Sequence, residues 1–315
     1  MKIAVLLCSM GGPSCPKEVR PFLFRLFNDP AIFRIGQPWR FLLAGIVSLI
    51  RSVKTRAIYR KIGGGSPILK NTLAQVEALQ RVLGADYVCR CAMSYSEPLI
   101  DPVVREIAED RPDHFIVVPM YPHYSTTTTA SVERDVRRAV ARHGILCPVD
   151  VLHGFYDQNG FISALVELTR VACRKAQGWG RPVILFSAHG LPQSVVRQGD
   201  PYPVHCVRTV TAVMDKINGA DAVLCYQSKI GPVPWIGPST PEEVRRAALA
   251  KRPIVVVPFS FVCEHSETLV ELGMTYRSLA LEEGAPCYEL VPTVGVHPAF
   301  ISGLAEEIRK LTKTT

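Results

Sequence analysis

Two groups of side chains in this sequence could do chemistry. The first is His189, which follows the apolar run Val183–Phe186 and precedes Gly190-Leu191-Pro192, residues that turn the chain. A neutral imidazole at such a strand mouth can accept a proton or bind a metal ion. Read alone, it serves equally well as a core histidine bonded to a loop carbonyl. The second group is the run from Glu264 through His265 and Glu267 to Glu271. Its carboxylates recur at i, i+3 and i+7, the spacing that puts all three on one face of a helix. Like charges stacked this way repel unless they face cations or share protons. Carboxylate with imidazole suits a hard or borderline divalent ion. The same row is also the pattern of a solvated acidic face favoured by the helix dipole.

Other motifs exclude chemistry. Phe186-Ser-Ala-His-Gly190 lacks the glycine before serine that a nucleophile elbow requires. Gly63-Gly-Gly-Ser-Pro67 lacks the trailing Gly-Lys-Ser/Thr of a phosphate loop and follows no strand pattern. Met10-Gly-Gly-Pro13 puts proline at the helix entry and has no third glycine, so it does not fit the dinucleotide fingerprint. The basic residues are dispersed, with no interleaved stacking platform, which argues against nucleic acid.

The elements that must position the two groups alternate along the chain. Strand patterns cover Ile3–Leu7, Tyr87–Met93, Phe115–Pro119, Val149–Leu152, Val183–Phe186, Ala222–Tyr226 and Ile254–Pro258. Helical patterns cover Thr72–Leu83, Pro102–Asp110, Ala130–His143, Gly160–Ala176, Val204–Ile217 and Pro241–Ala250. Strands alternating with helices predict right-handed β-α-β units. Near-continuous Val/Ile/Leu runs predict parallel strands covered on both faces. The pattern runs twice, with a crossing near Cys147–Val149. The fold class expected is therefore α/β, with two similar doubly wound, Rossmann-like domains, 1–147 and 148–297, facing a cleft. Ligands in such folds lie beyond the carboxyl ends of the strands, which is where His189 and the Glu264–Glu271 run fall.

The chain has 315 residues, 48% of them hydrophobic and 20% charged, a globular composition that excludes a disordered tail, a collagen and a small disulfide scaffold. Its formal net charge of +8 points to acidic partners. The ten cysteines include no Cys-x-x-Cys pair and read as small apolar core residues in a reducing cytoplasm. The apolar start reads as a core strand, because Leu7 is not the small residue that signal cleavage wants. Phe41–Ile50 is strongly apolar but, at ten residues, half of the roughly 20 that span a bilayer. Flanked by Arg40, Arg51, Lys54 and Arg56, it is either an interfacial helix with a basic rim or an ordinary buried helix.

In chain order, eight segments resemble one family, the ferrochelatases, which insert ferrous iron into protoporphyrin IX. The segments are Met10-Gly-Gly-Pro13, Pro21–Pro30, Tyr59–Pro67, Tyr121-Pro-His-Tyr-Ser125, Phe186–Pro192, Gly199–Pro203, Tyr226–Trp235 and Glu264–Leu269. Each is weak; together, in this order, they are specific and span nearly the whole chain. The Met-Gly-Gly-Pro start and the Gln227-Ser-Lys229 segment look like the protoporphyrin-using branch rather than the coproporphyrin-using one.

The resemblance implies chelatase-type domains with parallel four-stranded sheets. It also implies a hydrophobic pocket lip at about 20–50 and a C-terminal helix, 298–315, completing the first domain. It makes His189 and Glu267 the catalytic pair that holds the substrate Fe²⁺ or takes pyrrole protons. Glu264, His265 and Glu271 match an acidic delivery path, and Met10, Arg60, Tyr121, Lys229, Trp235 and Phe261 match porphyrin contacts. The partners implied are protoporphyrin IX, Fe²⁺ and an anionic membrane surface met peripherally from the cytoplasm, with Phe22, Phe24, Phe27, Phe33, Trp39 and Phe41 beside Arg20, Arg25, Arg34 and Arg40. Two departures stand out. Ser94 occupies a position where many relatives carry arginine. Thr126 stands where animal relatives have an internal cluster cysteine, and the last cysteine is Cys287, so no iron–sulfur cluster and no other resident cofactor is expected. Two further readings stay open: a porphyrin or haem carrier without insertion activity, and a tetrapyrrole chelatase for cobalt or nickel.

Overall fold

A strand covered by helices on both faces has no solvent side to alternate against, so it forms where aliphatic residues run without a break. In the computed structural model, which describes residues 1–33, 35–229 and 231–313, the first such run is β1 (Ile3–Ser9), buried along its length. It is followed by α1 (Val19–Phe27), α2 (Trp39–Arg60), α3 (Ile68–Leu83), β2 (Tyr87–Met93), α4 (Ile100–Glu109), β3 (His114–Pro119), α5 (Thr129–His143) and β4 (Val149–Val151). These strands make a parallel sheet in the order β2-β1-β3-β4. The second series is α6 (Asn159–Ala176), β5 (Val183–His189), α7 (Gln193–Arg197), α8 (Tyr202–Met214), β6 (Asp221–Gln227), α9 (Thr240–Leu249), β7 (Ile254–Val257), a π-helix (Glu267–Thr275), α10 (Tyr276–Glu282) and β8 (Tyr288–Leu290). Its sheet is also parallel, in the corresponding order β6-β5-β7-β8. The chain ends in α11 (Pro298–Lys313).

The chain divides into a unit of residues 1–154 with the segment from Leu304 on, and a unit of Phe155–Gly303. The boundary lies beyond the expected 147 because β4 hydrogen-bonds in register with β3 and so belongs to the first sheet. α11 is shared: Phe300 packs with Phe155 and Phe161 in the second unit. In the first unit, Arg309 donates to the Val82 carbonyl. The strand β8 has no counterpart among the sequence patterns, because three residues with Glu289 at the centre make too short an apolar run. Several strands run past the apolar residues that announce them. The ladder between β5 and β6 continues to His189 opposite Gln227, so the histidine is held by the sheet itself.

In the first unit, α2 inverts the usual distribution of side chains. Its buried face is Ala44, Ser48, Ser52 and Tyr59, and it pairs with α1. The two serine hydroxyls donate back to the Gly45 and Leu49 carbonyls, so their polarity is satisfied inside the helix. The large apolar residues point outward, with Trp39 at 68%, Ile46 at 58%, Ile50 at 69% and Val53 at 72% exposure. This excludes the alternative of an ordinary buried helix. No helix among the described residues is long and apolar enough to cross a membrane.

The segment between α1 and α2 is tied down by one carboxylate. Asp29, buried, accepts from the Ala31 amide, Tyr95, Ser131 and the Arg134 guanidinium. Burial alone would raise this carboxyl, but the bonds from Arg134 and Ser131 outweigh it and hold the group below the usual carboxylate range. Arg34, named with the basic lip residues, lies outside the described residues. The Gly63–Pro67 turn proves to be a packing device. The Ser66 amide donates to the Pro13 carbonyl at 2.7 Å, and a β-carbon on Gly65 would lie 2.2 Å from the Ser14 carbonyl oxygen.

Candidate active site

In the second sheet β5 is the strand at which the order reverses, with β6 on one side and β7 on the other. The carboxyl ends of these three strands form the switch point where an open α/β sheet binds ligands. His189 closes β5, Gln227 closes β6, and the chain leaving β7 leads through Phe261 and His265 into the π-helix that begins at Glu267.

The His189 ring is oriented by its neighbours. Its Nδ1 lies 2.7 Å from the Gly190 carbonyl, which can only accept, so Nδ1 carries a hydrogen and the neutral ring has its lone pair on Nε2. Its amide donates to Ser260. The chain passes closely at Gly190, where a β-carbon would lie 3.0 Å from the Gln227 carbonyl and 3.1 Å from the Trp235 ring. The Trp235 ring centroid stands 6.4 Å from that of His189.

Nε2 faces Glu267, with 3.8 Å between Nε2 and Oε1. On the other side His265 Nε2 is 3.9 Å from Oε2 of the same carboxylate, its ring packed 4.3 Å from that of Phe261. Two donors each about 2.1 Å from a divalent first-row ion stand roughly 3.5–4.2 Å apart. The His189–Glu267 gap therefore fits an ion between them. Burial would raise the Glu267 carboxyl, but the positive charge that His189 carries when protonated, with His265 on the other side, outweighs burial and lowers the group to about 2.

The acidic row is not the α-helical face its spacing predicts. Glu264 stands before the helix, and its Oε1 accepts from the amide and hydroxyl of Thr293. Glu267 and Glu271 occupy a π-helix, whose i→i+5 bonding widens the turn and alters the angular spacing of its residues. These two carboxylates meet at Ser228, which bonds both of them. Tyr276 donates to Glu271 Oε1 at 2.5 Å, and Gln227 Nε2 to Glu267 Oε2 at 3.2 Å. Burial, reinforced by the Glu271 charge, pushes the Tyr276 hydroxyl upward, so it remains a donor.

Of the predicted site residues, His189, Glu267, Glu271, His265, Phe261 and Trp235 are thus assembled around the ends of one sheet. Lys229 follows the same strand end and is exposed; Ile230 beside it lies outside the described residues. Met10, Tyr121 and Arg60 belong to the first unit. Met10 is half-buried beside the Phe22–Phe27 cluster, Tyr121 is half-buried beyond β3, and Arg60 is exposed at the end of α2. Ser228, Gln227, Ser260, Tyr276 and Thr293 went unassigned in the sequence. Ser228 and Gln227 could have been found from their place at a strand end; nothing in the spacing marks the other three.

An oriented imidazole and a half-buried carboxylate thus meet at the switch point of a parallel α/β sheet, in a fold shared with solved chelatases. Solved structures with that fold include the siroheme-biosynthesis enzyme CbiX, at TM-score 0.54 and 16% identity over 98% of this chain and 99% of that one. Another is the sirohydrochlorin chelatase SirB of Bacillus subtilis in complex with cobalt, at TM-score 0.59 and 13% identity over 98% and 95%. The family model described as Ferrochelatase matches residues 2–311, and the chain belongs to the ferrochelatase family, lyases that insert metal into a porphyrin. Among its relatives, ferrochelatase of Wolbachia pipientis wMel is 42% identical, covering 97% of this chain and 98% of that protein. Ferrochelatase of Caulobacter vibrioides is 41% identical, covering 98% and 90%.

Proposed function

We propose that this enzyme inserts Fe²⁺ into protoporphyrin IX through the His189–Glu267 pair and forms protohaem. The observation that carries the reading is the 3.8 Å gap between Nε2 of His189, whose ring is oriented by the Gly190 carbonyl, and the Glu267 carboxylate. Free porphyrin holds two N–H protons in a flat ring, and the product holds iron in their place. Each turnover must therefore bring in one cation and release two protons. Bending the ring tilts its nitrogen lone pairs toward the ion, a distortion that binding energy at the rest of the macrocycle offsets. Trp235 and Phe261, half-buried beside His189 and His265, present the apolar surface for such a ring. Met10, Arg60, Tyr121 and Lys229 carry the same assignment from the resemblance. Glu271 and, less directly, Glu264 supply the exchangeable oxygens that strip water from the incoming ion. No resident cofactor is needed for this exchange; iron and sulfide assays on the purified protein test for a cluster.

The same reading includes a peripheral, cytoplasmic membrane contact through the outward face of α2. The same helix carries Arg40, Arg51, Lys54 and Arg56, a composition suited to anionic lipid.

The deciding experiment uses anaerobic protein with Fe²⁺ and protoporphyrin IX, following loss of porphyrin fluorescence. The wild type quenches it catalytically. His189→Ala loses insertion by at least a hundredfold, as removal of a general base or ligand does, while porphyrin still binds. Near-normal turnover of that variant would exclude His189 from the chemistry. Porphyrin binding without any insertion by the wild type would instead make the protein a carrier.

A further inference from the structure

Ser228 sits at the end of β6 in the left-handed region, with φ of +66°, where a residue other than glycine is strained. That conformation turns both its amide and its side chain toward the π-helix. The amide donates to Glu271 Oε1 at 3.1 Å. The hydroxyl oxygen lies 2.6 Å from Glu271 Oε2 and 3.1 Å from Glu267 Oε2. A hydroxyl has one hydrogen, so it donates to only one carboxylate at a time; the short contact assigns it to Glu271. Its lone pairs are then left toward Glu267 Oε2, 3.1 Å away, and a further donor must link these two oxygens: Gln227 Nε2 lies 3.4 Å from Ser228 Oγ and 3.2 Å from Glu267 Oε2. Gln227 supplies the missing donor from below. Its Oε1 accepts from Ser187 at 2.8 Å, which fixes the amide so that Nε2 points at Glu267 Oε2. Of the other two oxygens, Glu271 Oε1 accepts from Tyr276 and Glu267 Oε1 stands 3.8 Å from His189 Nε2.

From this geometry we infer that Ser228 is a positioning residue of the metal path: it clamps Glu271 to Glu267 and sets the spacing across which the substrate ion passes toward His189. The inference rests on the metal-insertion reading above and adds to it a residue that acts through the two carboxylates. The positive φ belongs to the same arrangement, since in this conformation the one residue presents both donors to Glu271.

The test is Ser228→Gly, which accepts positive φ and keeps the amide bond to Glu271 but removes the hydroxyl. Loss of such an outer contact lowers metal affinity about tenfold or more. The variant should raise the KM for Fe²⁺ about tenfold, with kcat, porphyrin affinity and melting temperature close to wild type. Co²⁺ titrated into porphyrin-free protein, followed by its visible absorption, should show the same loss in affinity. Ser228→Asn, which tolerates positive φ and returns an N–H donor, should recover part of it. An unchanged KM for Fe²⁺ and an unchanged Co²⁺ isotherm in Ser228→Gly would overturn the clamp while leaving the insertion reading intact. Failure of the wild type to insert iron would overturn that reading, and the Co²⁺ isotherms would still decide the clamp.

Discussion

At the residue scale, polar groups in this protein are placed by bonds that leave each of them one role. His189 has its tautomer set by a backbone carbonyl, Gln227 its amide orientation by Ser187, and Glu264 its place by Thr293. Asp29 is the strongest case outside the site. Its carboxylate is buried and meets Arg134, Ser131, Tyr95 and a backbone amide. Replacing it with asparagine removes the charge from a buried pair, a change that costs about 3 kcal/mol. Denaturant unfolding at neutral pH should register that loss. The pH dependence has a defined sign. The folded-state carboxyl is depressed, so its contribution is complete above the unfolded value near ~3.9 and is lost as pH falls through the lower folded value. The wild type should therefore lose more stability than Asp29→Asn on acidification below about pH 4. Parallel slopes for the two proteins would show that Asp29 is not held as described.

At the scale of elements, close approach explains residues that looked like chemistry in the sequence. The Gly63-Gly64-Gly65 run resembles a phosphate loop only because loop packing also demands glycine. A methyl group on Gly65 would drive into the backbone carbonyl of Ser14, which cannot move aside as a side chain can. Gly65→Ala should therefore destabilise the first unit by about 2 kcal/mol or more, read as a lowered denaturant midpoint with unchanged slope. The strands and most helices were legible because their apolar periodicity is local. The π-helix was not: its sequence satisfies an α-helical pattern, and the choice between i→i+4 and i→i+5 bonding is made by what the carboxylates meet across the site. α2 was legible as apolar but not as inverted, since serines on its inner face are silent until their hydroxyls are seen to bond within the helix.

At the scale of the whole molecule, the net charge of +8 conceals a division. The half-buried carboxylates Glu267 and Glu271 meet at one strand end, while basic residues flank an apolar helix face turned to solvent. Substituting Ile46 and Ile50 with glutamate should leave unfolding free energy within about 0.5 kcal/mol per site, because both are exposed. The same pair should abolish flotation with phosphatidylglycerol vesicles. Wild-type flotation should weaken as salt rises and the screening length falls from about 10 Å at 0.1 M to about 3 Å at 1 M. Absence of wild-type binding at low salt would remove the membrane contact from the proposed function.

The sequence alone determined the α/β class, the doubled strand–helix pattern and the family, because these rest on local periodicity and on motifs read in order. It also marked His189 and the Glu264–Glu271 run by residue type and place, and the family resemblance picked Glu267 from that run. Only the tertiary structure decided that His189 offers Nε2, that Glu264 leaves the acidic row and that Ser228 joins Glu267 to Glu271. Those facts depend on which groups from distant segments come within hydrogen-bond reach. No spacing along one segment encodes the partner that arrives from another.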